Sequence, residues 1–153
     1  MVSEVHTQIQ TEIKPSTIPG AGKGRFFKQD HLAGEIVRVQ SIDDDLFVFS
    51  CVDDFKNTDI ELICNFSHTR CLDSDIECDD VYINKKPLYT NHSINHNICF
   101  KFVGDKKITF ISRNVVAGEE MFQNYTHYRK VDWFEDYLRS INKQSLREFA
   151  ATL

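Results

Sequence analysis

At 153 residues, 41% apolar and 12% aromatic, the chain is sized for one domain with one ordinary core and is too apolar to be a disordered segment. No apolar run reaches the roughly 18 residues of a membrane span, and the first residues lack a basic stretch leading into an apolar one; a soluble, intracellular protein of nucleus or cytoplasm is expected, with no membrane partner. The net charge of −5 is unevenly spread: residues 43–80 hold twelve acids against Lys56 and Arg70, and the remainder is net positive. Such an acidic block argues against direct nucleic-acid binding, whose affinity comes from cations facing phosphates. It suits a basic peptide partner through steering, and equally a solvated surface insertion.

In chain order, Val5, Thr7, Ile9, Thr11 and Ile13 alternate with polar residues and predict a strand. Residues 15–24, with two prolines and three glycines, predict a loop. Short strands are expected over residues 25–29 and 35–40, joined by a turn at Ala33-Gly34. Residues 46–64 fit a helix or two short segments equally, and residues 71–80 predict an exposed loop. Residues 97–103 and 107–111 predict a hairpin turning at Gly104-Asp105. A faint echo links residues 27–36 with 111–121, each placing an apolar residue seven before a Gly-Glu, and reads as two similar hairpins. Asp132 and Glu135 predict a capping pair, and Phe134, Leu138, Ile141 and Phe149 one face of a helix over residues 132–150. The sum is a single β-rich α+β domain closed by a C-terminal helix.

Five cysteines, at 51, 64, 71, 78 and 99, contain no C-x-x-C pair and predict reduced, mostly buried thiols. Cys64, His68, Cys71 and Cys78 invite comparison with a zinc site, but their spacing matches no usual zinc pattern, so no metal is expected.

Three motifs carry the functional signal. Gly20-Ala21-Gly22-Lys23-Gly24-Arg25 lets the backbone come close to a ligand, and without a Gly-Lys-Ser/Thr ending it is not a phosphate loop. Tyr89-Thr90-Asn91-His92-Ser93-Ile94-Asn95-His96-Asn97 follows, and then Gly118-Glu119-Glu120-Met121-Phe122-Gln123-Asn124-Tyr125. Over residues 17–137 and in this order they resemble the SET-domain protein-lysine methyltransferases, with their N-H-S-x-x-x-N and G-E-E-hydrophobic-x-x-x-Tyr motifs. The likeness is to compact, stand-alone members such as the viral and SMYD-type domains.

That resemblance implies a SET-domain β-clip fold in which the Asn-His-Ser and tyrosine segments pack as a pseudoknot. It implies S-adenosyl-L-methionine as cofactor, held by Gly22, Lys23, Gly24, Arg25, Asn91, His92 and Tyr125. Trp133 either stacks on the adenine or anchors the C-terminal helix. Tyr125 takes the position of the catalytic tyrosine, with Tyr89 and Tyr128 as candidates for the substrate channel. The departures are His96 for the usual proline, Ile94 for a frequent cysteine, Asn124 for a frequent Asp, and no tyrosine in the stretch after Glu35. The implied substrate is a basic protein or peptide, a histone tail among the candidates, chosen through the acidic insert or through self-association as a homodimer. The rival reading is a SET-like module that binds basic peptides with little turnover; a third keeps the scaffold for a small-molecule acceptor.

The residue types suit the chemistry. A lysine amine must be neutral to displace the methyl group of a sulfonium, yet a free lysine with a pKa of about 10.4 is neutral in roughly one molecule in a thousand near pH 7.4. A narrow aromatic channel lowers that pKa by desolvation and aligns amine and methyl. No metal or acid–base pair is required.

Overall fold

The computed structural model describes residues 6–7, 9–56, 67–69 and 80–153. The strands are β1 (His6–Thr7), β2 (Thr11–Pro15), β3 (Lys23–Phe27), β4 (Ile36–Ser41), β5 (Leu46–Phe49), β6 (Ser67–Thr69), β7 (Val81–Asn84), β8 (Asn91–His92), β9 (Ile98–Val103), β10 (Lys106–Ile111) and β11 (Phe122–Gln123). The helices are α1 (Ile42–Asp45), α2 (Val52–Phe55), α3 (Asp132–Ser140) and α4 (Leu146–Ala151), with a 3₁₀ turn at Tyr125–His127. They build small sheets: β1-β4-β10-β9, β5-β7-β6, β2-β3 and β8-β11. This is the β-rich α+β architecture that the alternation predicts.

The β9–β10 hairpin turns where expected, with Gly104 at φ 58°, a conformation that glycine enters without steric penalty. The alternating run at residues 5–13 is not one strand. Its described parts separate, β1 pairing with β4 and β2 with β3. Period-two alternation says which face is buried and nothing about which neighbour is paired, and Ile9, between the two strands, packs on the core.

The echo between residues 27–36 and 111–121 is a pairing of the two segments with each other rather than two hairpins. His31 and Val115 exchange backbone hydrogen bonds of 3.0 and 2.9 Å. On one side Phe27 bonds Gly118 and Glu119; on the other Ile111 bonds Gly34 and Glu35. The side chains repeat the symmetry. Ala33 N–H donates to Asn114 and Ala117 N–H to Asp30, while the Glu35 carboxylate accepts from Leu32 N–H and that of Glu119 from Val116 N–H. Gly34 and Gly118 take matching φ of 95° and 92°. Each loop thus satisfies one exposed amide of the other, through Asn114 or Asp30, and one of its own through its glutamate.

Among the described residues, buried apolar side chains gather in two clusters. One holds Phe27, Val37, Ile98, Ile111, Val115 and Met121; the other holds Phe55, Val81, Ile83, Val131, Phe134 and Leu138. The C-terminal segment that closes the second cluster is two helices and not one over 132–150. Asn142 takes a left-handed φ of 60° and Lys143 N–H returns to the Leu138 carbonyl at 2.7 Å, which ends α3; Ser145 then caps α4. Phe149 consequently leaves the shared face and is exposed. Nor do Asp132 and Glu135 form a capping pair: Val131 is the N-cap of α3, and the buried Glu135 carboxylate accepts from Ser145 Oγ at 2.7 Å.

Ser145 therefore does two jobs, capping Glu148 N–H and solvating Glu135. Ser145→Ala is expected to lose about 1 kcal/mol of cap and about 1–2 kcal/mol for the orphaned carboxylate. At roughly 2–4 °C per kcal/mol for a chain of this size, Tm should fall by about 5–10 °C in a thermal melt. Burial pushes the Glu135 carboxyl above its ordinary value, so the loss should grow as pH rises and the group ionises.

Of the acidic insert at 43–80, β5 and α2 resolve the ambiguous stretch as far as residue 55. The remainder of 46–64, the loop at 71–80 up to residue 79, and Cys64, Cys71 and Cys78 lie outside the described residues. Among the described residues no three His, Cys, Asp or Glu side chains are grouped to hold a metal ion, and no helix is long and apolar enough to cross a membrane.

Candidate active site

The parallel pair β8–β11 sets Asn91 beside Phe122 and His92 beside Gln123. This is the crossing of the Asn-His-Ser and tyrosine segments that the motifs imply. Asn97, buried, fastens it: its amide donates to the Glu120 carbonyl and accepts from Phe122 N–H, both at 2.8 Å.

The crossing holds Tyr125 from two sides. Its backbone N–H donates to His92 Nδ1 at 3.0 Å, and its hydroxyl donates to the Thr90 carbonyl at 2.5 Å. Because Nδ1 must accept, the imidazole proton resides on Nε2. The Tyr128 ring lies parallel to that of Tyr125, 5.5 Å between centroids and 15° between planes, and its hydroxyl bonds Gln123. Burial pushes the Tyr125 phenol far above its ordinary value, so it stays a hydroxyl at every working pH.

The glycine segment reaches this crossing through Glu120. Its carboxylate accepts from Ser16 Oγ at 2.8 Å, from Thr17 N–H at 2.8 Å, from Thr17 Oγ1 at 2.7 Å and from Asn91 Nδ2 at 3.0 Å. Asn91 Nδ2 also donates to the Lys23 carbonyl at 3.0 Å. A side chain at Gly24 would place its Cβ inside the Glu120 carboxylate, so this glycine is required for close approach. Gly20 and Gly22 hold the bend before β3 at φ 78° and 74°.

These parts surround a cleft of about 350 Å³. Lys23, Tyr89, Asn91, Tyr125 and Tyr128 line it, as do Arg38 and Lys107. The other residues proposed from sequence stand behind the wall or away from it. His92 positions Tyr125. Gly22 and Gly24 shape the loop. Arg25 ties β3 to the Leu88 carbonyl and to Thr11. Trp133 packs edge-on against Phe55 and Phe134 in the second apolar cluster, the position of a helix anchor, and not on the cleft.

The rear wall was not legible from the motifs. Two cross-strand pairs of β4 and β10 turn polar side chains inward: Arg38 opposite Thr109, and Gln40 opposite Lys107, all four buried. Arg38 donates to Thr90 Oγ1 at 3.4 Å and Met121 Sδ at 3.1 Å. Burial, with Arg25 nearby, lowers its pKa to about 9. The only sequence signal was the missing tyrosine after Glu35; Val37, Arg38 and Gln40 are the buried residues in that stretch. Glu120 was visible as the second Glu of the Gly-Glu-Glu motif, without its role.

Burial also lowers the His92 pKa, with His127 and His96 acting the same way against a hydrogen bond to the Gln123 backbone. Protonating Nδ1 removes the acceptor for Tyr125 N–H. Activity at this site is therefore expected to be full above the ordinary histidine value of about 6.5 and to fall as pH drops through the lower, folded value. A pH–rate profile flat from about pH 8 to about pH 5 would refute this coupling.

No protein-family model and no curated protein sequence matches the chain. Solved structures do. A Plasmodium falciparum protein, provisionally assigned as a histone methyltransferase, superposes with a TM-score of 0.53 at 14% identity, over 77% of this chain and 94% of that one. The ctPRC2 complex, in an autoinhibited conformation bound to S-adenosylmethionine, superposes with a TM-score of 0.56 at 21% identity. That match covers 88% of this chain and 17% of the larger one. At these identities the likeness establishes the fold.

Proposed function

We propose that this chain, whose fold is that of the SET-domain methyltransferases, is an S-adenosylmethionine-dependent protein-lysine N-methyltransferase acting on a histone or another basic protein. The observation that carries the reading is the cleft wall at Tyr125. A permanently protonated phenol donates to the Thr90 carbonyl, which leaves its oxygen lone pairs available to weak C–H···O contacts from a polarised methyl group. The stacked Tyr128 ring beside it offers the dry aromatic surface that disfavours an ammonium ion.

The residues present suit the cofactor. The glycine bend and Asn91 offer backbone and amide groups at the mouth of the cleft, and Lys23 brings a cation suited to a carboxylate. When bound, the cofactor supplies an activated methyl group; the chain's own residues orient the acceptor amine, exclude water and hold that amine neutral. The acidic residues of 43–80 favour a basic partner by complementarity.

The test is transfer of labelled methyl from S-adenosylmethionine to core histones and to a basic protein extract, with cofactor binding followed by calorimetry. Label on lysine supports the reading. Binding of basic peptides with neither label nor cofactor heat would replace it with a peptide-binding module.

A further inference from the structure

The cleft contains an amine that belongs to the chain. Lys107 faces inward from β10, is 3% exposed, and lines the same cavity as Tyr125 and Tyr128. A strand position facing a core usually carries an apolar side chain, because burying an ammonium is costly. Here Nζ lies 4.4 Å from the centroid of the Phe100 ring. Phe100 is 5.7 Å from Tyr128, which stacks on Tyr125. Phe100, and beyond it the stacked Tyr128 and Tyr125 rings, thus connect the amine to the tyrosine wall of the cavity it lines.

From this placement we propose that Lys107 is itself a methyl acceptor, modified in cis by the cleft it lines. The proposal rests on the methyltransferase reading. The Nζ lone pair attacks the sulfonium methyl; an N–C bond forms, the S–C bond breaks, S-adenosylhomocysteine leaves as a neutral thioether, and one proton passes from the new ammonium to water. Burial, reinforced by Arg38, lowers the Lys107 pKa to about 7, so a large share of the amine is neutral near physiological pH. The reaction is intramolecular because β10 is paired on both edges, with β4 and with β9. Lys107 cannot enter another copy's cleft without opening that sheet.

The experiment is mass spectrometry of the purified chain after incubation with S-adenosylmethionine, alongside Tyr125→Phe and Lys107→Arg. The expected result is a gain of methyl mass on the peptide containing Lys107. The modified fraction per unit time should be unchanged over about tenfold dilution, and the gain should be absent from Lys107→Arg and about 10²-fold slower in Tyr125→Phe. Wild-type protein answers the question even where a variant fails to fold. Cofactor binding or methylation of an added protein, with Lys107 unmodified, overturns the proposal and leaves the methyltransferase reading standing. A rate that rises with protein concentration overturns the cis route. Absence of both cofactor binding and transfer to any acceptor sinks the proposal and the methyltransferase reading together.

Discussion

Tyr125→Phe is expected to lower methyl transfer by about 10²-fold while cofactor affinity stays within about threefold. The size follows from what the hydroxyl does. A weak C–H···O contact is worth about 0.5–1 kcal/mol, a few-fold in rate. The larger effect is placement. The hydroxyl is the pin between the ring and the Thr90 carbonyl, and the ring forms the cleft wall against Tyr128. Misplacing an aligned methyl acceptor by about 1 Å costs on the order of 10²-fold. The backbone pin from Tyr125 N–H to His92 survives the substitution, so the fold and the cofactor side of the cleft should be spared. Because burial holds the phenol far above its ordinary value, the wild-type profile should also lack an alkaline limb from this group up to about pH 10. Turnover by the phenylalanine variant within a few-fold of wild type would remove Tyr125 from the chemistry.

How much of this was legible beforehand divides along physical lines. Motif residues were legible because their chemistry is local: an Asn amide, a His acceptor and a Tyr hydroxyl function wherever the chain brings them, and β8–β11 brings them together. The hairpin at Gly104 was legible because its turn and alternation lie within one short stretch. Partner choice was not. The alternation at residues 5–13 is split between two sheets, and the Ala-Gly-Glu echo is a mutual pairing between segments 84 positions apart. The break between α3 and α4 rests on Asn142 in a left-handed conformation and on Ser145, two residues that ordinary helical periodicity passes over. The inward polar pairs of β4 and β10 ran against expectation most clearly. In Lys106–Ile111 the side chains of Lys107 and Thr109 are buried, while Ile108 and Phe110 are only partly so. A polar face turned inward is a departure from sheet patterning of the kind found at functional sites.

Glu120→Gln is expected to separate the cofactor mouth from the tyrosine wall. The carboxylate touches both the glycine bend, through Ser16 and Thr17, and the Asn-His-Ser strand, through Asn91. An amide offers two donors where the carboxylate offered only acceptors, so at least one of these partners is orphaned and faces another donor. Hydrogen bonds to a charged group contribute about 1.5–3 kcal/mol each. A loss of about 3 kcal/mol, and a fall in Tm of about 6–12 °C, is the expected scale. Cofactor affinity should weaken more than the KM for a protein acceptor, because the disturbed end of the cleft is the glycine end. Gly24→Ala provides the geometric control, since its Cβ displaces the same carboxylate without changing charge. Desolvation pushes the Glu120 carboxyl up, but the bonds from Asn91, Thr17 and Ser16 outweigh it and hold the folded pKa below 4.5. The stabilisation from ionised Glu120 is therefore complete above that value and disappears as pH falls through the lower, folded one. Melts of wild type and Glu120→Gln should differ most at neutral pH and converge in acid. A difference that persisted unchanged well below pH 4 would show that the link between the two halves of the cleft is not ionic.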